Sequence, residues 1–180
     1  MKRTVLFLTL VMFAAASLAM AQPFEKKKWE FSTALSFTSF SQSGGYSQSV
    51  LNIPLTVGYF VWKGLEIQPE IMLTKFKGDD AAFLASLNLA YNFLMQKKLV
   101  PYVLAGFGLG NGFSYVGIVE GSSGTHATAL NFGAGAKYLV GTAAAFRAEL
   151  RYSHYHFTES GFTPFNYNSF QFFTGISLFF

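Results

Sequence analysis

The chain contains no cysteine. That excludes a disulfide framework, a thiolate nucleophile and a thiolate metal site, and with them a lipid anchor attached through a cysteine thioether. Charge is also scarce, at 12% Asp, Glu, Lys and Arg. The net charge of +4 includes Lys2 and Arg3, so residues 22–180 carry only +2. A high pI therefore says little about nucleic acid, and no nucleic-acid partner is expected. There are three histidines, His126, His154 and His156, which is thin material for a metal centre; no metal and no cofactor is expected. After residue 21 no apolar run is long enough to form a membrane-spanning helix.

What is abundant is apolar and aromatic surface: 51% hydrophobic residues, with 22 Phe and 9 Tyr. The N-terminus accounts for one part. Lys2 and Arg3 precede an apolar run from Val5 to Ala16, and Ala19-Met20-Ala21 supplies a small-x-small cleavage pattern. This predicts a secretory signal peptide over 1–21, with cleavage before Gln22; a signal anchor is the alternative. The remaining 22–180 suits one domain, and its apolar surface must then be presented by strands.

Alternation of polar and apolar residues is clearest at 146–152, Phe-Arg-Ala-Glu-Leu-Arg-Tyr. In a strand Arg147, Glu149 and Arg151 share one face and Phe146, Ala148, Leu150 and Tyr152 the other. The same period-two pattern predicts eight strands, at 29–41, 50–62, 65–76, 83–94, 99–112, 127–139, 144–157 and 167–180. Short connections (63–64, 95–98, 140–143) alternate with longer ones rich in Gly, Ser, Asp or Thr (42–49, 77–82, 113–126, 158–166). Even strand number with short turns at one end and long loops at the other is the layout of an eight-stranded antiparallel up-and-down transmembrane β-barrel, with both termini on the periplasmic side.

A lipocalin-like barrel would turn the apolar face inward; a membrane barrel would turn it to lipid. Three features favour the membrane. The apolar face carries more large rings than an eight-strand interior holds. Small residues, among them Gly58, Ala90, Gly106, Gly108, Gly133, Gly135 and Gly175, fall on the other face. Trp29, Tyr59, Tyr91, Phe93, Tyr138 and Phe180 map near the short-turn end, where an interfacial aromatic girdle belongs. The lumen then receives Glu30, Glu66, Glu70, Lys137, Arg147, Glu149 and Arg151. Isolated buried charges are costly, so these should pair. They form either a salt-bridged plug, the favoured reading, or the lining of a narrow small-solute path. Pro54 and Pro69 interrupt strands and predict a bulge or irregularity.

Other signals are weaker. Lys26-Lys27-Lys28 reads as a solvated tail before the first strand, with headgroup contact as the alternative. The glycines of 106–112 alternate within a strand and lack the following Lys-Ser/Thr of a phosphate loop. Gly121 to Gly124 reads as a loop tip.

The chain is similar to the small outer-membrane β-barrel domain family, which includes OmpA-like and OmpX-like proteins. The resemblance rests on Pro101-Tyr102-Val103 leading into Ala105-Gly106-Phe107-Gly108, on Asn131-Phe132-Gly133-Ala134-Gly135, and on a last strand ending at Phe180 with Leu178, Ile176 and Phe172 on its face. It implies a monomeric protein of a Gram-negative-type outer membrane. It also implies recognition of Phe180 by the barrel-assembly machinery, and lipid and lipopolysaccharide as neighbours. The stretch from Arg151 to Asn168 also resembles the tail of the lipid A 3-O-deacylase barrels. That resemblance implies His154 as the catalytic histidine, but the serine position falls on His156 and the acidic position on Asn168. The expectation is a structural or surface-interaction role without catalysis; a diverged deacylase using His154 is the alternative.

Overall fold

The structure, a computed structural model, describes residues 29–42, 46–76, 81–94, 98–111, 126–158 and 164–180. The predicted signal peptide, Lys26–Lys28, the 113–125 loop with its Gly121–Gly124 tip, Glu159 and Ser160 lie outside the described residues.

Eight strands follow in order: β1 Trp29–Gln42, β2 Tyr46–Trp62, β3 Leu65–Phe76, β4 Ala81–Asn92, β5 Leu99–Asn111, β6 His126–Leu139, β7 Ala144–Thr158 and β8 Phe165–Phe179. Each pairs antiparallel with its sequence neighbour, and β1 pairs with β8 to close the barrel. At the closure Trp29 and Phe180 exchange both backbone hydrogen bonds, at 3.1 and 2.9 Å. The β1–β8 ladder runs from Glu30 opposite Phe179 to Leu35 opposite Thr174. The shortest strands have 12 residues; at ~3.3 Å per residue that is roughly 40 Å of chain, or roughly 30 Å along the axis at a tilt of ~40°. Closure also removes the unpaired edges that lipid could not satisfy.

Period-two alternation decides the faces. In β7, Arg147, Glu149, Arg151 and Ser153 are buried in the lumen while Phe146, Ala148 and Leu150 are exposed. Phe31, Leu35, Leu55, Ile71, Leu87, Phe107, Leu130 and Phe172 are exposed on the same outer surface.

Two strand-boundary expectations are corrected. β2 begins at Tyr46, pairing Tyr46 with Gln42, so the predicted 42–49 loop shrinks to a connection at 43–45. Backbone pairing carries this hairpin past the stretch that the apolar pattern marks, because a ladder needs no apolar face. At the other end β4 stops at Asn92, which lengthens the β4–β5 connection to 93–98. The prolines shift no register, yet each stands at a gap in one ladder, as expected: β1–β2 pairing skips Ala34 and Leu35 opposite Pro54 and Ile53, and β2–β3 pairing skips Val57 and Gly58 opposite Pro69 and Gln68. The register shift between β2 and β3 falls instead between Phe60 and Trp62. The lumen also takes in large rings: Phe60, Tyr102, Tyr155, Phe157, Phe173 and Phe179 are buried.

Those inner rings divide the lumen into layers. Phe60, Val100, Ala145 and Phe179 pack together at the short-turn end. Met72, Ala82, Leu84, Ala127, Ala129, Tyr155 and Phe157 pack together toward the loop end. The charged residues lie between these two apolar layers.

Candidate functional site

Period two turns all seven predicted lumen charges inward, and the barrel's curvature brings them together. None is more than 5% exposed. They form two linked groups. Nearer the short-turn end, Lys137 Nζ lies 2.6 Å from Glu30 Oε2 and 3.2 Å from Glu66 Oε2, and Asn92 Nδ2 donates to the same Glu66 oxygen at 3.1 Å. Deeper in the barrel Glu149 is shared by two arginines. Arg151 Nε donates to Oε1 and Arg147 Nη2 to Oε2, both at 2.6 Å. Arg151 also grips Glu70 with both terminal nitrogens, Nη1 on Oε1 and Nη2 on Oε2, the latter at 3.0 Å. Such a bidentate fork fixes geometry as well as charge.

Neutral groups complete the mesh. Tyr102 donates to Glu149 Oε2 at 2.6 Å and accepts from Arg147 Nη2 at 3.0 Å. Ser32 accepts from Arg147 Nη1 at 2.6 Å, and Thr56 donates to Glu70 Oε2 at 3.2 Å. Aromatic faces cover the cations: Lys137 Nζ stands 5.2 Å from the Tyr102 ring centre and Arg151 Cζ 5.0 Å from that of Phe173. Two inner glycines make the room. A Cβ on Gly58 would collide with the Glu66 carboxylate, and one on Gly135 would stand 2.7 Å from the Tyr102 ring.

Sequence reasoning placed the seven charges but missed Tyr102, Phe60, Phe173 and Phe179. The signal was available: Tyr102 has the same strand parity as Leu104, Gly106 and Gly108. Parity by itself turns all four rings inward.

The predicted interfacial aromatics gather around the short-turn end. Trp29 lies opposite Tyr59 with ring centres 4.8 Å apart, and Tyr91 packs edge-on against Phe93 at 5.1 Å. Tyr138 and Phe180 are exposed nearby. Phe93 falls just beyond β4, held by its backbone N–H donating to Pro101 O at 2.8 Å.

At the opposite end of β7 the outward face turns polar. His154 lies opposite Asn168 and His156 opposite Asn166. Nδ1 of His154 is 2.6 Å from Asn168 Oδ1, which also accepts from the Tyr152 hydroxyl at 3.0 Å. Nδ1 of His156 is 2.7 Å from Asn166 Oδ1. Asn168 thus occupies the orienting place of a triad beside His154. The nucleophile's place does not hold a hydroxyl: His156 stands there, and Ser153 points into the lumen, donating to Asn131 Oδ1 at 2.8 Å. Serine hydrolysis needs that hydroxyl beside its base.

A family model of the outer membrane protein beta-barrel domain matches residues 5–176. No curated protein sequence matches the chain. Among solved structures, Neisserial surface protein A is similar at a TM-score of 0.64 and 18% identity, covering 84% of this chain and 96% of that one. The N-terminal β-barrel domain of Pseudomonas aeruginosa OprF is similar at 0.58 and 20%, covering 86% and 98%. The outer membrane protein OprG from the same organism is similar at 0.52 and 14%, covering 89% and 99%. At these identities the likeness is one of fold.

Proposed function

The chain belongs to the outer membrane protein beta-barrel domain family, and from that premise we propose that it is a sealed, non-catalytic scaffold of the outer membrane. In this reading it acts as a monomer. It is anchored by its apolar girdle among lipid and lipopolysaccharide, and it presents its loop end to the outside. Fold by itself does not confer this role. The observation that carries it is the lumen: seven ionisable side chains, paired from β1, β3, β6 and β7, between two apolar layers. Charges held that tightly offer a solute no open path, and their removal from water is offset by one another and by the neutral groups and rings around them.

The test is conductance. The refolded protein in a planar bilayer is expected to be silent; a steady current altered by Arg147→Ala would replace the plug with a small-solute channel. Incubation with lipid A is expected to release no 3-hydroxy fatty acid. Release that disappears in His154→Ala would establish the deacylase instead.

A further inference from the structure

All three histidines of the chain lie on the outward face of β6 and β7 toward the loop end: His126 opposite Thr158, Thr128 opposite His156, and His154 one pair below. Their height is informative. Phe146 sits opposite Tyr138 of the aromatic girdle. His154 is eight residues further along β7, and His156 ten. At ~3.3 Å per residue and a tilt of ~40°, they stand about 20 and 25 Å above the girdle, where the apolar band of such barrels, ~25 Å tall, ends. Along this stretch the outward side chains change from Phe146, Ala148 and Leu150 to His154, His156 and Thr158. On β8 they change from Phe172 and Phe170 to Asn168 and Asn166. On β4 and β5 the outward side chains stay apolar as far as Phe83 and Leu109.

The polar groups of this patch are prearranged. Each carboxamide oxygen engages an imidazole at Nδ1, which leaves Nε2 as the second hydrogen-bonding atom of each ring. Asn168 Oδ1 is engaged by both Tyr152 and His154, and Asn168 itself is exposed, with Nδ2–H2 as the donor group of its carboxamide. Among the described residues every side-chain carboxylate is buried in the lumen, and Lys75 is exposed on the outer surface toward the loop end.

We propose that Tyr152, His154, His156, Asn166 and Asn168 form a binding site for the phosphate of an outer-leaflet glycolipid. The carboxamide N–H groups donate to the phosphate oxygens, each Nε2 accepts from a P–OH or, on an imidazolium, donates to a phosphate oxygen, and the aromatic surface of Tyr152 and Phe170, 5.0 Å apart, lies beneath against the first acyl carbons. The proposal rests on the outer-membrane scaffold reading and deepens it by naming a lipid group and the residues that meet it. Phosphate is favoured over sugar hydroxyls because the patch offers N–H donors and basic rings, and hydrogen bonds to an ionised partner are the stronger kind.

The experiment reconstitutes the full barrel in phosphatidylcholine nanodiscs doped with bisphosphorylated lipid A, or with the same lipid A after removal of its phosphates. Native mass spectrometry then reads the lipid retained. The wild-type barrel is expected to retain the phosphorylated form about tenfold better, as two hydrogen bonds to a charged group allow. The preference should vanish in His154→Leu/His156→Leu and in Asn166→Leu/Asn168→Leu, each checked for folding by heat-modifiable gel migration. Equal retention of both lipids by the wild type would overturn the proposal without any variant being needed. So would a preference that survives in either folded variant. Bilayer current reports on the scaffold reading alone, so the two failures are separable.

Discussion

Arg151 and His154 lie three residues apart on one strand, yet they belong to opposite kinds of polar chemistry. Arg151 is enclosed by Glu70, Glu149 and the Phe173 ring. His154 shares one nitrogen with Asn168 and stands half-buried on the outer surface. In the lumen a polar atom without a partner loses water and gains nothing, so the charged side chains there are tied to one another and become structure, although Glu30 Oε1, Glu66 Oε1 and Arg147 Nε find no hydrogen-bond partner among the described residues. At the rim water and headgroups are within reach, so a side chain can be held at one atom and left available at another. Burial, more than residue type, separates the scaffold from the candidate ligand site.

The comparison is broken most severely by removing a lumen cation. Arg151→Ala leaves Glu70 and Glu149 buried with less compensation, and is expected to cost about 3–5 kcal/mol of folding free energy, read by urea titration in lipid vesicles. Replacing both partners, Arg151→Leu with Glu70→Leu, should cost less than the single change. If the single variant folded as stably as the parent, the network would not be holding the barrel. A smaller effect is expected for Tyr102→Phe, which deletes the hydroxyl between Glu149 and Arg147 and should cost about 1–3 kcal/mol by the same titration. Gly58→Ala sharpens the packing side of the argument. Its methyl meets the Glu66 carboxylate, and overpacking of this kind costs about 1–3 kcal/mol. At the far end of the scale His154→Leu should change stability by no more than about 0.5 kcal/mol. A lumen-sized loss there would mean that the rim pair is structural after all.

Much of this was legible in the sequence, and the reason is geometric. A strand alternates its faces strictly, so the order of residues alone places Arg147, Glu149 and Arg151 on one side and Phe146 and Leu150 on the other. The same rule gave eight strands and, with the aromatics at Trp29, Tyr59 and Tyr138, the end at which they gather. It holds as well for inner rings that hydrophobicity does not mark. Phe60, Tyr102 and Phe173 are rings, yet their positions turn them inward. It missed the first residues of β2, from Tyr46, because pairing beyond the apolar band leaves no alternation to detect.

Local pattern by itself therefore determined that the chain makes strands, how many, which face meets lipid and which charges are shut inside. Only the closed barrel decided that Arg151 meets Glu70, 81 positions away, that Lys137 joins Glu30 across 107, and that His154 finds Asn168 outside rather than a serine. Alternation is a property of neighbouring residues along one strand, readable one strand at a time. Partnership across a lumen depends on strand register and curvature, which exist only once all eight strands have closed.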